Sequence, residues 1–141
     1  MIKQTKDEFL LYNDKFLASL MKRGLKLKAY KKYEAIMRKL KEEQNAAPQL
    51  VLFASLLKIS PIINIRNRLK GRVKVPYIEI ATKRKQIGRS VAWVVRELAK
   101  KQKNRNPSTK KIVEVLQASL ENKGDAMGKR SAMYEQAKTL V

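Results

Sequence analysis

The chain has 141 residues, with 33 Lys and Arg against 12 Asp and Glu, a formal charge of +21, and neither Cys nor His. This length predicts a single domain over residues 1–141 with one modest core, and a hydrophobic content of 44% is too high for a disordered tail. Without Cys and His the chain lacks disulfides, thiolate nucleophiles, and the commonest metal ligand and neutral-pH general base. Metal enzymes and most acid–base enzymes are therefore disfavoured, and we expect no cofactor.

The positive charge predicts a polyanionic partner. A charge of +21 on 16.3 kDa opposes folding through self-repulsion, so nucleic acid, an anionic membrane surface and an acidic protein are the candidates. The longest apolar stretches, such as residues 50–57, are far too short to span a membrane, and we expect no membrane partner. The N-terminal residues show no apolar segment of a signal peptide, and the acidic pair Asp7-Glu8 argues against a cleavable transit peptide.

Hydrophobic periodicity predicts three helices in the first 60 residues. Asn13 or Asp14 can cap the first helix, which leaves residues 1–12 as an N-terminal arm. The second helix has an apolar stripe that runs from Tyr30 to Leu40, and it breaks at Asn45. Pro48 suits the first turn of a third, central helix. The predicted ranges are 13–23, 26–44 and 48–57.

Residues 62–80 alternate between apolar and polar, which predicts a β-hairpin finger. We place its turn at Leu69-Lys70-Gly71, a three-residue loop with Gly in the left-handed position. This register puts four basic side chains on one face, with the pairs Arg68–Arg72 and Arg66–Lys74. The opposite face then carries Ile65, Val73 and Val75. A two-residue Lys-Gly turn would instead scatter the charges over both faces.

The last 60 residues again show helical spacing. A fourth helix is predicted over residues 82–102, with Trp93 in the core, followed by a polar connector at 104–107. Ser108 caps a fifth helix that ends just before Gly124, and a sixth covers residues 129–140. The fold class is therefore mainly α, a small bundle of about six helices with a protruding two-stranded antiparallel β-hairpin.

No catalytic constellation is visible in the sequence. The carboxylates are scattered and are interpreted as helix-surface charges, and no His or suitably placed Lys could activate Ser or Thr. The glycines form no phosphate-binding loop. We therefore expect a protein that is not an enzyme and has no small-molecule substrate.

The basic residues are concentrated in the middle of the chain. Between Lys58 and Lys111 there are 17 Lys and Arg against two acids, Glu79 and Glu97, so this segment carries +15 of the total charge. Ordinary surfaces intersperse both signs, and like charges across a hairpin weaken it, so phosphates are the expected counter-charge.

RNA is favoured over DNA as the partner. Aromatic residues are too few for base stacking to be the main mode of binding. A hairpin separates the two helices that could imitate a helix-turn-helix, whereas a compact body with a basic finger suits the backbone of folded RNA. A DNA-binding regulator or nucleoid protein stays open as the alternative.

Five segments, in the right order, resemble the small-subunit ribosomal protein seven family of bacteria and organelles. They are 20–26 (LMKRGLK), 60–68 (SPIINIRNR), 73–76 (VKVP), 90–95 (SVAWVV) and 120–130 (LENKGDAMGKR). The corresponding family patterns are I-M-x-x-G-K-K, x-x-P-x-x-E-V-R-S-R-R, Y-Q-V-P, A-x-R-W-L-V and A-A-E-x-x-G-x-A-V-K-K-R. The resemblance extends from Asp14 to about Leu140.

The resemblance implies a helical fold with a protruding hairpin and a structural role in the small ribosomal subunit. It implies a primary binder of small-subunit rRNA that organises the 3′ major, or head, domain beside neighbouring head proteins, near exit-site tRNA and the mRNA path. The implied RNA-binding residues are Lys22, Arg23, Lys26, Arg66, Arg68, Lys70, Arg72, Lys74, Lys83, Arg84, Arg89, Lys110, Lys111, Lys129 and Arg130.

The sequence also departs from the family pattern. The Arg-rich N-terminal extension and the aromatic, basic C-terminal tail are not seen, and the hairpin is shorter, so its reach towards exit-site tRNA is expected to be reduced. Basic residues are mostly Lys, 23 against 10 Arg, which is typical of an AT-rich genome. We therefore expect an organelle-encoded, mitochondrial ribosomal protein, with plastid or bacterial cytoplasm as the alternative.

Overall fold

The computed structural model describes residues 2–101 and 108–141, with side chains described from 6 to 100 and from 108 to 141. Within these residues six helices surround one core and a two-stranded antiparallel sheet projects from it, so the expected fold class is confirmed. The elements are α1 (Ile2–Leu20), α2 (Lys26–Gln44), α3 (Pro48–Ile59), β1 (Ile63–Lys70), β2 (Val73–Ile80), α4 (Lys83–Lys101), α5 (Thr109–Leu120) and α6 (Asp125–Thr139). No helix in the described part of the chain is long and apolar enough to cross a bilayer.

Helix α3 lies at the centre of the core, as its apolar composition predicts. Leu52 and Leu56 are fully buried, and Tyr12 of α1 shares a hydrogen bond between its hydroxyl and that of Ser60, at the end of α3. Burying each such leucine contributes about 1.5–3 kcal/mol to stability relative to an exposed position. The interpretation of Trp93 as a core residue is confirmed, since its side chain is buried in the same cluster.

Helix α1 begins at Ile2, so the predicted start at Asn13 or Asp14 is wrong and residues 2–12 are helical. Asn13 does not cap the helix, because its side-chain amide donates to the carbonyl of Phe9 and its oxygen accepts from the Tyr33 hydroxyl. Tyr12 continues the apolar stripe on this side of the helix and is buried. Tertiary packing therefore extends α1 well beyond the residue that looked like its cap.

The predicted caps around α5 are partly right. Ser108 accepts a hydrogen bond from the Lys111 N–H and begins the helix as expected, while residues 102–107, with the predicted connector, lie outside the described residues. Helix α5 ends at Leu120, with Asn122 in the left-handed conformation. The Lys123 N–H then donates to the Ala118 carbonyl, which closes the helix four residues before Gly124.

Glu97 corrects the interpretation of every carboxylate as a surface charge. Its side chain is only 1% exposed, and its carboxylate accepts from the Ala126 N–H at 3.2 Å. The Glu97 carboxyl group thus lies at the N-terminus of α6, where it satisfies one of the N–H donors that the first turn of a helix leaves free. This cap explains why α6 begins at Asp125 rather than at the predicted residue 129.

The hairpin has a two-residue turn, so the predicted three-residue loop is wrong. Lys70 pairs with Val73, which leaves Gly71 and Arg72 as the turn. Gly71 has φ +64° whereas Arg72 does not have a positive φ, the combination of a type II′ turn with Gly in first position. The predicted pairs Arg68–Arg72 and Arg66–Lys74 are therefore replaced by Arg68–Val75 and Arg66–Tyr77.

Candidate nucleic-acid interface

The corrected register divides the hairpin cations between two faces and the turn. Cross-strand partners lie on the same face of a hairpin. One face therefore carries Arg66, Arg68 and Lys70, each beside its partner on β2, which is Tyr77, Val75 and Val73 respectively. Lys74 lies on the other face, beside Leu69, and Arg72 belongs to the turn. The expectation of one face with four basic side chains is wrong, although all five cations are exposed.

Arg68 is held in place without losing its donors. Its guanidinium carbon lies 4.9 Å from the centre of the ring of Tyr77, which follows its partner Val75 by two residues on β2. A guanidinium stacked on an aromatic face keeps its edge N–H groups available, and these match the geometry of a phosphate. Arg68 therefore presents a guanidinium group with available donors halfway along the finger.

The base of the hairpin contains a network centred on Glu79. One carboxylate oxygen, Oε1, accepts from Asn64 Nδ2 at 3.0 Å and from Lys85 Nζ at 3.2 Å, and forms an ion pair with Arg66, whose Nε lies 2.9 Å away. The hydrogen bond from Asn64, with that from Lys85 and the positive charges of Arg66 and Lys85, holds the pKa of Glu79 below its ordinary value. Glu79 is thus ionised at neutral pH and joins both strands to the first turn of α4.

Arg89, an expected RNA contact, is turned partly towards the protein. Its Nη1 donates to Asn64 Oδ1 at 2.6 Å and lies 3.7 Å from the sulfur of Met133 in α6. The side chain is half-buried at the junction of β1, α4 and α6. In the same region the Ile62 N–H donates to the Tyr134 hydroxyl at 3.0 Å, which ties the start of the hairpin to α6.

Two further expected contacts open helix α4. Arg84 is exposed, and Lys83 is also exposed although it forms an ion pair with Glu8 of α1 at 3.2 Å. Both lie next to the base of the hairpin in the chain, so they extend its cationic surface onto the body. The pairing of Lys83 was not foreseeable from the sequence, because it joins residues 75 positions apart.

The cations between α1 and α2 form a separate group. Lys22, Arg23 and Lys26 are all exposed around a turn shaped by positive φ at Arg23 and Gly24. From Glu8, which touches α4, to the end of α1 the helix rises about 18 Å, so this corner is remote from the hairpin base. Burial and the nearby Lys22 lower the pKa of Lys32, which shows how closely positive charges approach each other here.

A groove beside this corner was missed by the sequence analysis. It has a volume of about 170 Å³ and lies between α1 and α2. Tyr30, which the helical stripe placed towards the core, is 51% exposed at its edge, next to Lys26. The signal that could have found it is the basic surrounding of Tyr30, which Lys31 and Lys32 follow directly in the sequence.

The remaining expected contacts lie on α5 and α6. Lys110 is exposed and Lys111 half-buried in the first turn of α5, while Lys129 and Arg130 are half-buried in α6. The Arg130 guanidinium carbon lies 4.9 Å from the centre of the Tyr134 ring, an arrangement similar to that of Arg68 and Tyr77. The structure thus distributes the expected contacts over several surfaces instead of one site.

These features define a class of protein. Among the residues that the structure describes, no three or more acidic side chains lie close enough together to hold a metal ion. What the fold presents is a rigid helical body with an exposed basic finger and further basic surfaces, the form of a structural protein that binds a nucleic acid.

The comparison with known proteins identifies the family. Residues 3–140 match the family model of ribosomal protein S7p/S5e. Small ribosomal subunit protein uS7 of Wigglesworthia glossinidia brevipalpis is 30% identical over 125 residues, which covers 87% of this chain and 78% of that protein. The chain therefore belongs to the ribosomal protein S7p/S5e family, so the resemblance seen in the sequence is confirmed. It is a structural, non-enzymatic protein of the small ribosomal subunit.

Proposed function

We propose that this protein is a primary binder of small-subunit rRNA, and that it organises the 3′ major domain next to other head proteins. The proposal rests on the positions of the only two acidic residues in the sequence between Lys58 and Lys111, which are Glu79 and Glu97. Glu97 is buried at the N-terminus of α6, and Glu79 accepts two hydrogen bonds and forms an ion pair with Arg66 at the hairpin base. The Lys and Arg side chains that the structure describes between Lys58 and Lys111 therefore meet almost no competing carboxylate from their own segment.

Binding of this kind is driven by counterion release. Each phosphate neutralised by Lys or Arg frees condensed counterions, which gives high affinity at low salt and a steep loss as salt increases. The rigid body fixes the relative positions of the basic surfaces, so only an RNA folded into a matching shape can contact several of them together. Specificity would then arise from shape, with few contacts to base edges.

A salt-titrated binding assay tests this function. The 3′ major domain of the rRNA should retain the protein against an excess of random duplex DNA. The logarithm of the affinity should fall against log salt by roughly 0.7–0.9 per neutralised phosphate. If duplex DNA displaces the RNA equally well, the DNA-binding alternative replaces this proposal.

A pair of variants with equal charge assigns the contacts. Four hairpin cations that form no bond with the body are replaced by alanine in the first variant: Arg68, Lys70, Arg72 and Lys74. The control replaces four exposed cations of α2: Lys28, Lys31, Arg38 and Lys41. In the hairpin variant, we expect the slope of log affinity against log salt to become shallower by roughly 0.9 for each phosphate contact removed. In the control variant, we expect this slope to change little. Equal losses in both variants would mean that only net charge matters.

The position in the ribosome is a further part of the proposal. A finger that projects from a head protein can lie near exit-site tRNA and the mRNA path. Because the chain has no Cys, a single cysteine introduced at Arg72 can carry a photocrosslinker on the turn of the finger. Crosslinks to tRNA or mRNA in assembled subunits support this position, and crosslinks confined to rRNA contradict it.

The compartment that we propose is the mitochondrion. The excess of Lys over Arg is typical of proteins encoded by AT-rich genomes, and many organelle genomes are AT-rich. A plastid or bacterial ribosome is the alternative, and the similar protein described above is bacterial. Fractionation of the source cells, with an antibody against this chain, should place it with mitochondrial small subunits; its recovery with plastid or cytoplasmic subunits would contradict this setting.

A further inference from the structure

We infer that Glu79 is a positioning residue for RNA binding: its carboxylate fixes the hairpin on α4 and so strengthens binding to a polyanion although it is itself negatively charged. The inference rests on the proposed RNA-binding function and names how one part of that surface is held in place. Neither the family pattern nor the charge distribution assigns this role to Glu79.

The geometry at Glu79 is that of a junction. Its Oε1 accepts hydrogen bonds from Asn64 of β1 and Lys85 of α4 and forms an ion pair with Arg66 of β1, all within 3.2 Å, while Glu79 itself belongs to β2. Both strands and the helix therefore meet at one oxygen atom. Charge-assisted hydrogen bonds of this length are stronger than neutral ones and fix direction as well as distance.

Asn64 extends the junction into the body. Its side chain is only 5% exposed, donates to Glu79 and accepts from Arg89, which also contacts Met133 of α6. The chain of contacts thus runs from β2 through β1 to α4 and α6. A buried neutral side chain of this kind cannot touch RNA directly, so any effect of Asn64 on binding must act through the hairpin.

Besides this junction, the start of the hairpin is held by the bond from the Ile62 N–H to Tyr134 of α6, whereas the outer part of the hairpin is exposed. Leu69 lies near the tip and its side chain is 69% exposed. Ile80 lies at the end of β2, where the hairpin joins the body, and its side chain is 82% exposed, so the body covers neither. A two-stranded hairpin is marginally stable on its own, and its tip amplifies any change of angle at the base. The orientation of Arg68, Lys70 and Arg72 therefore depends on the junction.

Removal of the Glu79 charge would also leave cations facing each other. Arg66, Lys85 and Arg89 converge on the junction, and Lys83 and Arg84 lie in the same first turn of α4. Without the carboxylate these groups repel, and repulsion between the strand and the helix turns the finger away from α4. RNA phosphates would then meet a hairpin with a broader range of orientations.

A positioning role and a purely electrostatic role predict opposite changes in RNA affinity when Glu79 loses its charge. Glu79→Gln raises the net charge by one, and a surface that acts only through its charge would bind RNA more tightly after this change. A positioning role requires weaker binding. The control is Glu135→Gln, because Glu135 is an exposed carboxylate on α6, paired with Lys138 away from the junction, and its replacement gives the same change of charge.

The experiment measures the Kd for the 3′ major domain RNA at fixed salt. We expect Glu79→Gln to bind at least about fivefold more weakly, as when a charge-assisted hydrogen-bond network is lost, while Glu135→Gln binds as well as the parent or slightly better. Asn64→Ala leaves the charge unchanged and should weaken binding in the same direction. Unchanged or tighter binding by both Glu79→Gln and Asn64→Ala overturns the inference.

A second measurement on the free protein separates this inference from the proposed function. Spin labels on Arg72→Cys at the turn and Lys41→Cys on α2 report the angle of the finger, since the chain has no other Cys. We expect one narrow distance distribution in the parent and a broad one in Glu79→Gln, with unchanged helical circular dichroism. An equally narrow distribution in both proteins overturns the inference. Failure of the parent to bind rRNA would instead contradict the proposed function alone.

Discussion

Gly124 is the residue at which the backbone leaves least freedom for substitution. Its φ of +98° and ψ of 166° lie in a region that is open essentially to glycine alone. A Cβ at this position would lie 2.9 Å from Oε1 of Glu97, the carboxylate that caps α6. Gly124 and Glu97 therefore form one structural unit, in which the absent side chain of one makes room for the buried charge of the other.

We expect Gly124→Ala to destabilise the protein by about 2 kcal/mol or more, because backbone strain and displacement of the Glu97 carboxylate add. Gly128→Ala is the matched control. Gly128 lies inside α6, where an added methyl group would meet no neighbour within 4 Å, so alanine should stabilise the helix by about 0.5–1 kcal/mol. Urea denaturation followed by circular dichroism measures both changes. Similar effects at the two glycines would disprove the role given to the Glu97 cap.

Single residues also show where sequence reasoning reaches its limit. Exposure of Lys22 or Arg68 could be predicted from residue type alone, because Lys and Arg side chains are rarely buried. The burial of Glu97 and the half-burial of Arg89 could not, since each depends on a partner 25 or more positions away. Long-range partners decide which members of a charge cluster face the solvent.

Among the secondary-structure elements, helix α2 was predicted with its observed bounds, Lys26–Gln44. Its apolar stripe and its break at Asn45, which takes a left-handed conformation, are local signals. The start of α1 was missed because Asn13 looks like a cap in sequence but bonds to Phe9 and Tyr33 in the fold. Local patterns therefore give the existence of an element more securely than its ends.

The register of the hairpin has an explanation in Pro76 as well as in the turn. Counted outwards from Gly71 and Arg72, the observed pair Asn67–Pro76 exchanges no backbone hydrogen bonds, so the missing proline N–H leaves the ladder intact. In the predicted register Pro76 would face Asn64 in a hydrogen-bonded pair and lose a bond. Turn chemistry and proline position, considered together, would have selected the observed pairing.

The register can be checked by disulfide formation. Leu69 and Lys74 are cross-strand partners in a pair without backbone hydrogen bonds, where Cα atoms are about 4.5 Å apart. A double variant with Cys at these two positions should oxidise readily, since this distance suits a disulfide and no native Cys competes. Cys at Arg66 and Lys74, partners in the alternative register, should remain reduced. Mass spectrometry of the oxidised monomers reads out both, and preferential closure of the second pair would refute the observed register.

At the scale of the whole molecule, composition predicts the partner class but not the layout of the interface. The count of 33 cations against 12 anions predicts a polyanion ligand without reference to any fold. It does not show that the corner at Lys22 lies about 18 Å along α1 from the contact with α4, a distance that follows from the length of the helix. An RNA that touches both surfaces must therefore span the body of the protein.

The same excess of charge should control the stability of the free protein. Exposed ion pairs such as Lys123–Glu121 contribute little and weaken with salt, whereas repulsion among the surplus cations is relieved by it. We therefore expect the Tm of the free protein to rise by a few °C between low salt and about 0.3 M sodium chloride, where the Debye length is below 10 Å.

The rRNA complex should show the opposite trend. At low salt, bound RNA stabilises the folded state by mass action and raises the Tm well above that of the free protein. As salt increases, affinity falls and the two melting temperatures should converge. Differential scanning fluorimetry of the protein with and without the 3′ major domain RNA follows both curves. A free protein whose Tm falls over this range would show that its ion pairs outweigh the repulsion, and the charge would then need no polyanion to offset it.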